Sequence, residues 1–363
     1  MIKYYTRACN FYYGPISVEK VKKRLSLPLH GNKSISFDTV EVISRKDIKK
    51  INIKKINKLK KQIRKKISSD IKNISKKKKI KGLKFTNFPI LMGVLNLTPN
   101  SFSDGGKYNK KKLGEKHAKR LINDGCMILD IGGEATNPGS KDVNANEEWK
   151  RIYPTLRRIK NLGQFISLDT RKSLIIKKGI KYKINLVNDV SGLEYDKDTI
   201  HVLKDTNIPF IIHHMQGKPS TMQKNPKYSN VVLDIYDFFE KKIEYVRSKG
   251  IKHNNIVLDP GIGFGKNLKH NITLLRNISI FHSLGFPIML GTSRKRFIKG
   301  ISGVNDSKER LGGTISSGLF AIMQGVQILR VHDVNEMNQS IKVFNSLNFW
   351  DVKKIFWHWR DKR

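Results

Sequence analysis

Cysteine is almost missing from this sequence, with only Cys9 and Cys126 among 363 residues. Two cysteines cannot build a disulfide framework, and no Cys-x-x-Cys pair is present to bind zinc or run redox chemistry. No His-Glu-x-x-His occurs either. No apolar run approaches the ~20 residues of a membrane-spanning helix. The opening MIKYYTRACNFYYG lacks the continuous apolar core of a secretory signal. Together these absences predict a soluble, reducing, cytoplasmic setting. Acidic residues are scarce too, 30 Asp and Glu against 71 Lys and Arg.

The resulting charge of +41 is unevenly placed. Residues 1–84 carry 26 basic and 5 acidic residues, and residues 85–363 carry 45 and 25. Half of the excess therefore sits in a basic N-terminal extension. Its first part, residues 1–44, mixes aromatics, Gly and Pro with one alternating piece, SISFDTVEVI, that reads as a short strand. Its second part is a Lys/Ile tract in which Ile48, Ile51, Ile56, Leu59, Ile63, Ile67, Ile71 and Ile74 follow steps of mostly three and four. That spacing predicts a basic amphipathic helix over part of the tract. A helix that lays its Ile stripe on the neighbouring domain explains it best. No aromatics interleave the lysines, so neither a nucleic-acid nor a membrane partner is expected.

From residue 85 short apolar strands alternate with helical segments, from LMGVLNL and KKKLGEKHAKRLINDG to VQILRVHDV and MNQSIKVFNSL. Eight such units over about 260 residues match a (β/α)8 TIM barrel. The sequence thus divides into an extension (1–84), a barrel (85–345) and an aromatic, basic tail (346–363). The eight units are complete without the extension, which predicts that a chain starting near residue 85 folds and works.

In such barrels chemistry lies at the C-terminal strand ends. Here those ends read Asn96, Asp130 with Glu134, Asp169, Asn188, His213 with His214 and Met215, Asp259, Ser293 to Lys295, and Arg330 with His332. A lone terminal Asp is usually a helix cap, but eight converging polar ends point to a site. Asp169, Asn188 and Asp259 are acceptors suited to a planar ring with adjacent N–H donors. Asn96, Arg330 and His332 form a plausible oxyanion site, and the Ser-Arg-Lys run suits a phosphate or carboxylate. Rival motifs fail. In DPGIGFGKN the lysine precedes Asn267 rather than Ser or Thr, so it is no P-loop, and Lys266 occupies the third glycine of a dinucleotide fingerprint. His213 and His214 are adjacent on a strand and face opposite sides. Cys126 begins a strand and reads as core.

MGVLNLTPNSFSDGG, LDIGGEATNPGS, SLDTRKS, VNDVSG, HHMQGKPSTMQ, LDPGIGFGKN with LGTSRKR, and LRVHDV together resemble dihydropteroate synthase. They follow that family's order over roughly residues 88–345. The resemblance implies condensation of 7,8-dihydropterin-6-ylmethyl diphosphate with p-aminobenzoate, with Mg²⁺, giving 7,8-dihydropteroate and pyrophosphate. It implies that Asp169, Asn188, Asp259 and Lys295 hold the pterin, with Phe264 and Met215 bordering the ring. Asn96 would meet the metal, and Arg330 and His332 the diphosphate. Phe102, Thr136, Pro138 and Ser293 would lie around p-aminobenzoate. Asp169, Lys295, Arg330 and His332 are the implied catalytic residues, and a homodimer is implied. One position departs: the family's Ser-Thr-Arg-Pro-Gly is Ala135-Thr136-Asn137-Pro138-Gly139 here. The alternatives are a diverged pterin-binding barrel with a changed or lost acceptor, a pterin-dependent methyltransferase domain with a corrinoid partner, and a nucleic-acid-binding protein led by the basic tract.

Overall fold

The computed structural model describes residues 2–83, 85, 88–98, 112–135, 139–140 and 142–349. Phe102, Thr136, Asn137 and Pro138, and most of the tail assigned to 346–363, lie outside that set.

Eight all-parallel strands form the main sheet: β5 (Ile90–Asn96), β6 (Ile128–Gly132), β7 (Phe165–Asp169), β8 (Leu186–Asp189), β9 (Phe210–His213), β10 (Ile256–Asp259), β11 (Met289–Leu290) and β12 (Ile328–Val331). Their order is β10-β9-β8-β7-β6-β5-β12-β11. Closure comes from a bridge between Leu258 and Ile288, with Leu258 N–H donating to Pro287 O at 2.9 Å. The predicted (β/α)8 barrel is therefore the observed architecture. Its outer layer is α3 (Leu113–Asn123), α4 (Ala145–Ile159), α5 (Ser173–Ile180), α6 (Thr199–Thr206), α7 (Val231–Ser248), α8 (Leu268–Arg276), a short α9 (Arg296–Ser302), α10 (Leu311–Met323) and α11 (Val334–Phe349).

Side chains alternate along each strand, and the alternation separates two cores. Ile90, Met92, Ile128, Leu186, Ile211, Val257, Met289 and Ile328 fill the barrel's interior. Leu91, Leu95, Leu129, Ile131, Leu168, Ile212, Leu258 and Leu329 face the helices. Two residues beyond five of these interior apolar groups, the same inward parity delivers a polar one. Ile128 is followed by Asp130, Leu186 by Asn188, Ile211 by His213, Val257 by Asp259 and Ile328 by Arg330. The packed apolar layer is thus the floor on which a polar layer stands.

The extension is a folded layer of its own. In it β1 (Tyr5–Tyr13) runs antiparallel to β3 (Asn32–Ile43), whose other edge pairs with β2 (Leu27–Leu29) and β4 (Ile48–Asn52). The expected strand SISFDTVEVI is the body of β3. Two helices, α1 (Gly14–Lys22) and α2 (Lys61–Ser75), complete it. The Lys/Ile tract is helical only from Lys61. Its first part is β4, because residues 48–52 pair with residues 39–43 of β3, and sheet hydrogen bonds override a pattern that also fits a helix. Ile67, Ile71 and Ile74 are buried against Ala8, Leu29, Ile35, Phe37 and Val40 of the extension's own sheet.

This layer docks on the barrel's side and lower end. Tyr5 is fully buried and meets Tyr236 of α7 edge-on at 5.1 Å. Ser279 Oγ donates to Ala8 O at 3.2 Å, Asn73 Nδ2 to Ser283 O at 3.0 Å, and Tyr13 OH to Met323 O at 2.7 Å. Residues 278–284 and 323–325 precede β11 and β12, so the contact lies toward the N-terminal strand ends, away from the polar layer.

Candidate active site

Arg330 organises the polar layer. Its Nε donates to Asp130 Oδ2 at 2.6 Å and its Nη2 to Asp169 Oδ2 at 2.7 Å. Asn188 Nδ2 donates to the same Asp130 oxygen at 3.1 Å. The second oxygen of Asp130, the Oδ1 of Asn188 and the Ser167 hydroxyl are buried without hydrogen-bond partners. Buried acceptors are rarely left so, and a ligand bringing N–H donors satisfies them. Asp259 accepts from Gly261 N–H at 2.8 Å. Its other oxygen lies 4.0 Å from His213 Nε2, while His213 Nδ1 meets Val190 O at 3.0 Å. That carbonyl can only accept, so Nδ1 carries the proton and Nε2 is an acceptor. Phe264 packs edge-on against His213, ring centres 4.6 Å apart.

Glycines set the loop after β10. A Cβ on Gly261 (φ +68°) would come within 1.9 Å of His214 O, and one on Gly265 (φ +62°) within 2.5 Å of Gln216 O. The Gly spacing of DPGIGFGKN therefore serves close packing on residues 214–216 and left-handed turns. Within the loop Lys266 is buried, its Nζ 3.0 Å from His214 Nδ1 and donating to Phe264 O at 2.9 Å. Lys295 donates to Ile262 O and stands 4.7 Å from the centre of the Phe264 ring.

Burial sets the electrostatics. It pushes the Asp169 carboxyl up to about 8, against the pull of Arg330 and with the nearby Asp130 adding. It raises Asp259 despite Lys295, and it lowers Lys295 to about 8 despite Asp259. Burial also opposes the charge on Arg330, but Asp130 and Asp169 outweigh it and the guanidinium stays protonated. His332 is held neutral by burial, then by Arg294, Arg330 and Lys295. Its backbone N–H donates to Ser293 Oγ at 3.2 Å, and its Nδ1 lies 2.9 Å from the same oxygen. A hydroxyl oxygen has two lone pairs, so either partner of this pair can donate: when the hydroxyl donates to Nδ1, the ring proton sits on Nε2.

Above this layer lies a cavity of about 370 Å³ lined by Asn96, Glu134, Asp169, Met222, Phe264, Ser293, Lys295, Arg330 and His332 among others. Asn188 and Asp259 are buried below it. Met215, half-buried just past β9, is not in the lining, where Met222 and Gln223 stand instead. Phe102, Thr136 and Pro138 lie outside the described residues. The root of the second loop is held by Glu134, which accepts from Arg171 Nε at 3.1 Å, Lys172 Nζ at 2.9 Å and Val143 N–H at 2.8 Å. Sequence reasoning noted Asp130 at a strand end but gave it no role, although its inward parity with Ile128 was readable. It also missed Lys266, Met222 and Gln223, which only the folded loops bring to the cavity.

Among the described residues no cluster of three or more His, Cys, Asp or Glu can hold a metal. Asn96 is half-buried at the end of β5 and lines the cavity. Its amide oxygen is a hard donor of the kind Mg²⁺ takes, so Asn96 is the residue that would contribute to holding one there.

Residues 92–332 match the model of the pterin binding enzyme family. The chain is 40% identical over 256 residues to the dihydropteroate synthase of Escherichia coli K12, an overlap of 70% of this chain and 90% of that protein. It is similar to the structure of the Yersinia pestis dihydropteroate synthase with a sulfonamide drug complex, at 36% identity and a TM-score of 0.71, covering 74% of this chain and 98% of that one. It is similar also to the Xanthomonas albilineans dihydropteroate synthase with 4-aminobenzoic acid, at 32% identity and a TM-score of 0.68, covering 73% and 94%. The extension precedes the matched span.

Proposed function

This chain belongs to the dihydropteroate synthases, transferases of folate biosynthesis, and from that membership we propose how its own residues carry the reaction. Asp169, Asn188 and Asp259 take the N–H edge of the dihydropterin, with Lys295 at its rim and Phe264 against the ring. The observation that carries this reading is the Asp130–Arg330–Asp169 group set beside Asn188 and its partnerless oxygens. It supplies acceptors for the pterin and, at Arg330 Nη1, a fixed cation facing the departing diphosphate. His332, neutral and hydrogen-bonded to Ser293 through Nδ1, adds a second donor there in the tautomer that carries its proton on Nε2. Met215 borders the ring with Phe264 in the same reading, and Met222 and Gln223 add to the cavity wall.

The arylamine of p-aminobenzoate is itself the nucleophile. Its nitrogen bonds to the methylene carbon as the carbon–oxygen bond to diphosphate breaks, the electron pair leaves with pyrophosphate, and the new ammonium loses a proton to water. No activated serine or cysteine is required. The protein supplies donors preorganised where negative charge develops and a dry pocket for an electron-rich ring. Asn96 is the residue that would hold Mg²⁺, whose chemistry when bound is to neutralise diphosphate charge. Ser293, Phe102, Thr136 and Pro138 border the acceptor in the same reading.

A homodimer is supported by apolar groups left exposed on the last two barrel helices, Phe320, Val343 and Leu347. A cytoplasmic location is supported by two free cysteines and by the lack, among the described residues, of a helix long and apolar enough to cross a membrane. The test of the whole reading is pyrophosphate release by the purified protein with each substrate omitted in turn. Release only when both are present is the expected result, and release without p-aminobenzoate overturns the acceptor assignment.

A further inference from the structure

Phe264 sits between two glycines of positive φ, Gly263 at +82° and Gly265 at +62°. Such neighbours leave an aromatic side chain free to swing, because glycine takes many backbone conformations at little steric cost. The segment from Pro260 to Asn267 belongs to no helix or strand, so its carbonyls need partners from outside any ladder. Four successive ones find them on side chains. Ile262 O accepts from Lys295, Gly263 O from Gln223 Nε2 at 2.5 Å, Phe264 O from Lys266 at 2.9 Å and Gly265 O from Tyr228 OH at 2.8 Å. On the other side of the same peptide chain, Gly263 N–H donates to Asn271 Oδ1 at 2.6 Å.

Lys295 stands at the pterin's rim and Lys266 belongs to the loop itself. Gln223 and Tyr228 come from another segment, between β9 and α7, and they hold the carbonyls of the two residues that flank Phe264. That segment is braced in turn. Gln216 Nε2 donates to Lys227 O at 2.9 Å and Lys227 N–H returns a bond to Gln216 Oε1 at 3.0 Å, while the Tyr228 ring lies edge-on to His270, centres 4.9 Å apart. We infer that Gln223 and Tyr228 are positioning residues that clip Phe264 against the pterin pocket, and so set the affinity for the dihydropterin through that ring. The inference rests on the placement of Phe264 proposed above. The pterin keeps this neighbour throughout the reaction, so the clips act alike on the ground and transition states and belong to binding rather than rate.

The experiment uses the full-length chain with Tyr228→Phe and Gln223→Met, each made in the unaltered chain and in Phe264→Ala. Tyr228→Phe removes one oxygen and leaves the ring against His270. A carbonyl then loses its donor, and calorimetry should show pterin diphosphate binding weakened about three- to tenfold. At saturation kcat should stay within about twofold, with KM for p-aminobenzoate unchanged. Gln223→Met should give the same pattern from the other side of Phe264. In Phe264→Ala either change should cost less than about twofold, since the ring to be positioned is gone. Undiminished pterin diphosphate affinity in either variant, the same loss with and without the Phe264 ring, or an equal rise in both KM values overturns the inference. A Phe264→Ala chain that binds the pterin diphosphate as tightly as the unaltered one would instead overturn the placement of Phe264 beneath it.

Discussion

Removing residues 1–84 is the perturbation in which structure and sequence give opposite expectations. The sequence shows eight complete strand–helix units without them. The structure shows that the extension closes an apolar seam of the barrel. On the barrel side Tyr236, Ile278, Ile280 and Phe281 are essentially inaccessible, with Tyr5 edge-on to Tyr236 and Tyr236 stacked on Phe281 at 6.5 Å. Full burial of a large apolar side chain is worth about 1.5–3 kcal/mol. Complete exposure of these four would therefore cost on the order of 6–12 kcal/mol. Barrel neighbours still cover part of each, so a third to a half of that, several kcal/mol, is the working figure. The ion pairs of Lys3 and Arg45 with Asp237, and of Arg45 with Asp234, add little, because they are partly exposed. Domains are stable by only about 5–15 kcal/mol, and 1 kcal/mol moves the Tm of one this size by about 2–4 °C. A chain beginning at residue 85 should therefore aggregate or melt about 10 °C or more below the full chain, read by circular dichroism and gel filtration. A monodisperse truncation melting within about 2 °C of the full chain, with full turnover, would refute the seam argument and restore the sequence expectation.

The other predictions concern the site and the same seam. Asp259→Asn keeps the Gly261 N–H contact on its amide oxygen and can donate to His213 Nε2, so the fold should survive. It turns an acceptor for the pterin into a donor, and calorimetry should show pterin diphosphate binding weakened at least about tenfold; equal affinity would remove Asp259 from the pterin site. Lys295 is lowered to about 8 by burial and loses its charge as pH rises through that value. kcat/KM for the pterin diphosphate should fall on the alkaline side near there, and Lys295→Arg should shift that limb upward; an unmoved limb assigns it to another group. Buried between extension and barrel, His282 is lowered to about 3, Lys78 to about 7, and His30 well below its usual value, burial leading in each. All three are bases depressed by folding, so their stability is present above the unfolded pKa. It is lost as pH falls from 10.5 toward 7 for Lys78 and below 6.5 for the histidines. Urea midpoints should drop from pH 9 to pH 5, and His30→Asn, which tolerates that residue's positive φ, should flatten the acid part; an unchanged slope would exclude His30 as a cause.

The barrel was legible because its strands obey a local rule. A fully buried parallel strand reads as a short apolar run, such as ILMGVLN of β5, and its polar end marks where the core stops. The strand ends named from sequence converge for the same reason, since every strand in a closed parallel barrel ends on one face. What was not legible depends on distance in the chain. Arg330 meets Asp130 and Asp169 across separations of 200 and 161 residues. Parity with Ile128 turns Asp130 toward the barrel interior, but nothing along the sequence shows that it shares that guanidinium. The loop after β9 is a further case, because it turns at Gly217 (φ +79°) and brings Met222 to the cavity from seven residues past Met215.

The extension resisted reading for a different reason. A tract built mainly of Lys and Ile satisfies both a period of two and a period near four, so pattern alone cannot separate β4 from α2. The decision belongs to β3, whose free edge binds residues 48–52 and ends that competition before the helix starts at Lys61. Once the helix forms, its three buried isoleucines turn to the sheet and its lysines are left to the solvent by geometry. The basic charge is then what remains outside after the apolar face has been used. The tie to the barrel is made elsewhere in the extension, by Tyr5, Tyr13 and Asn73.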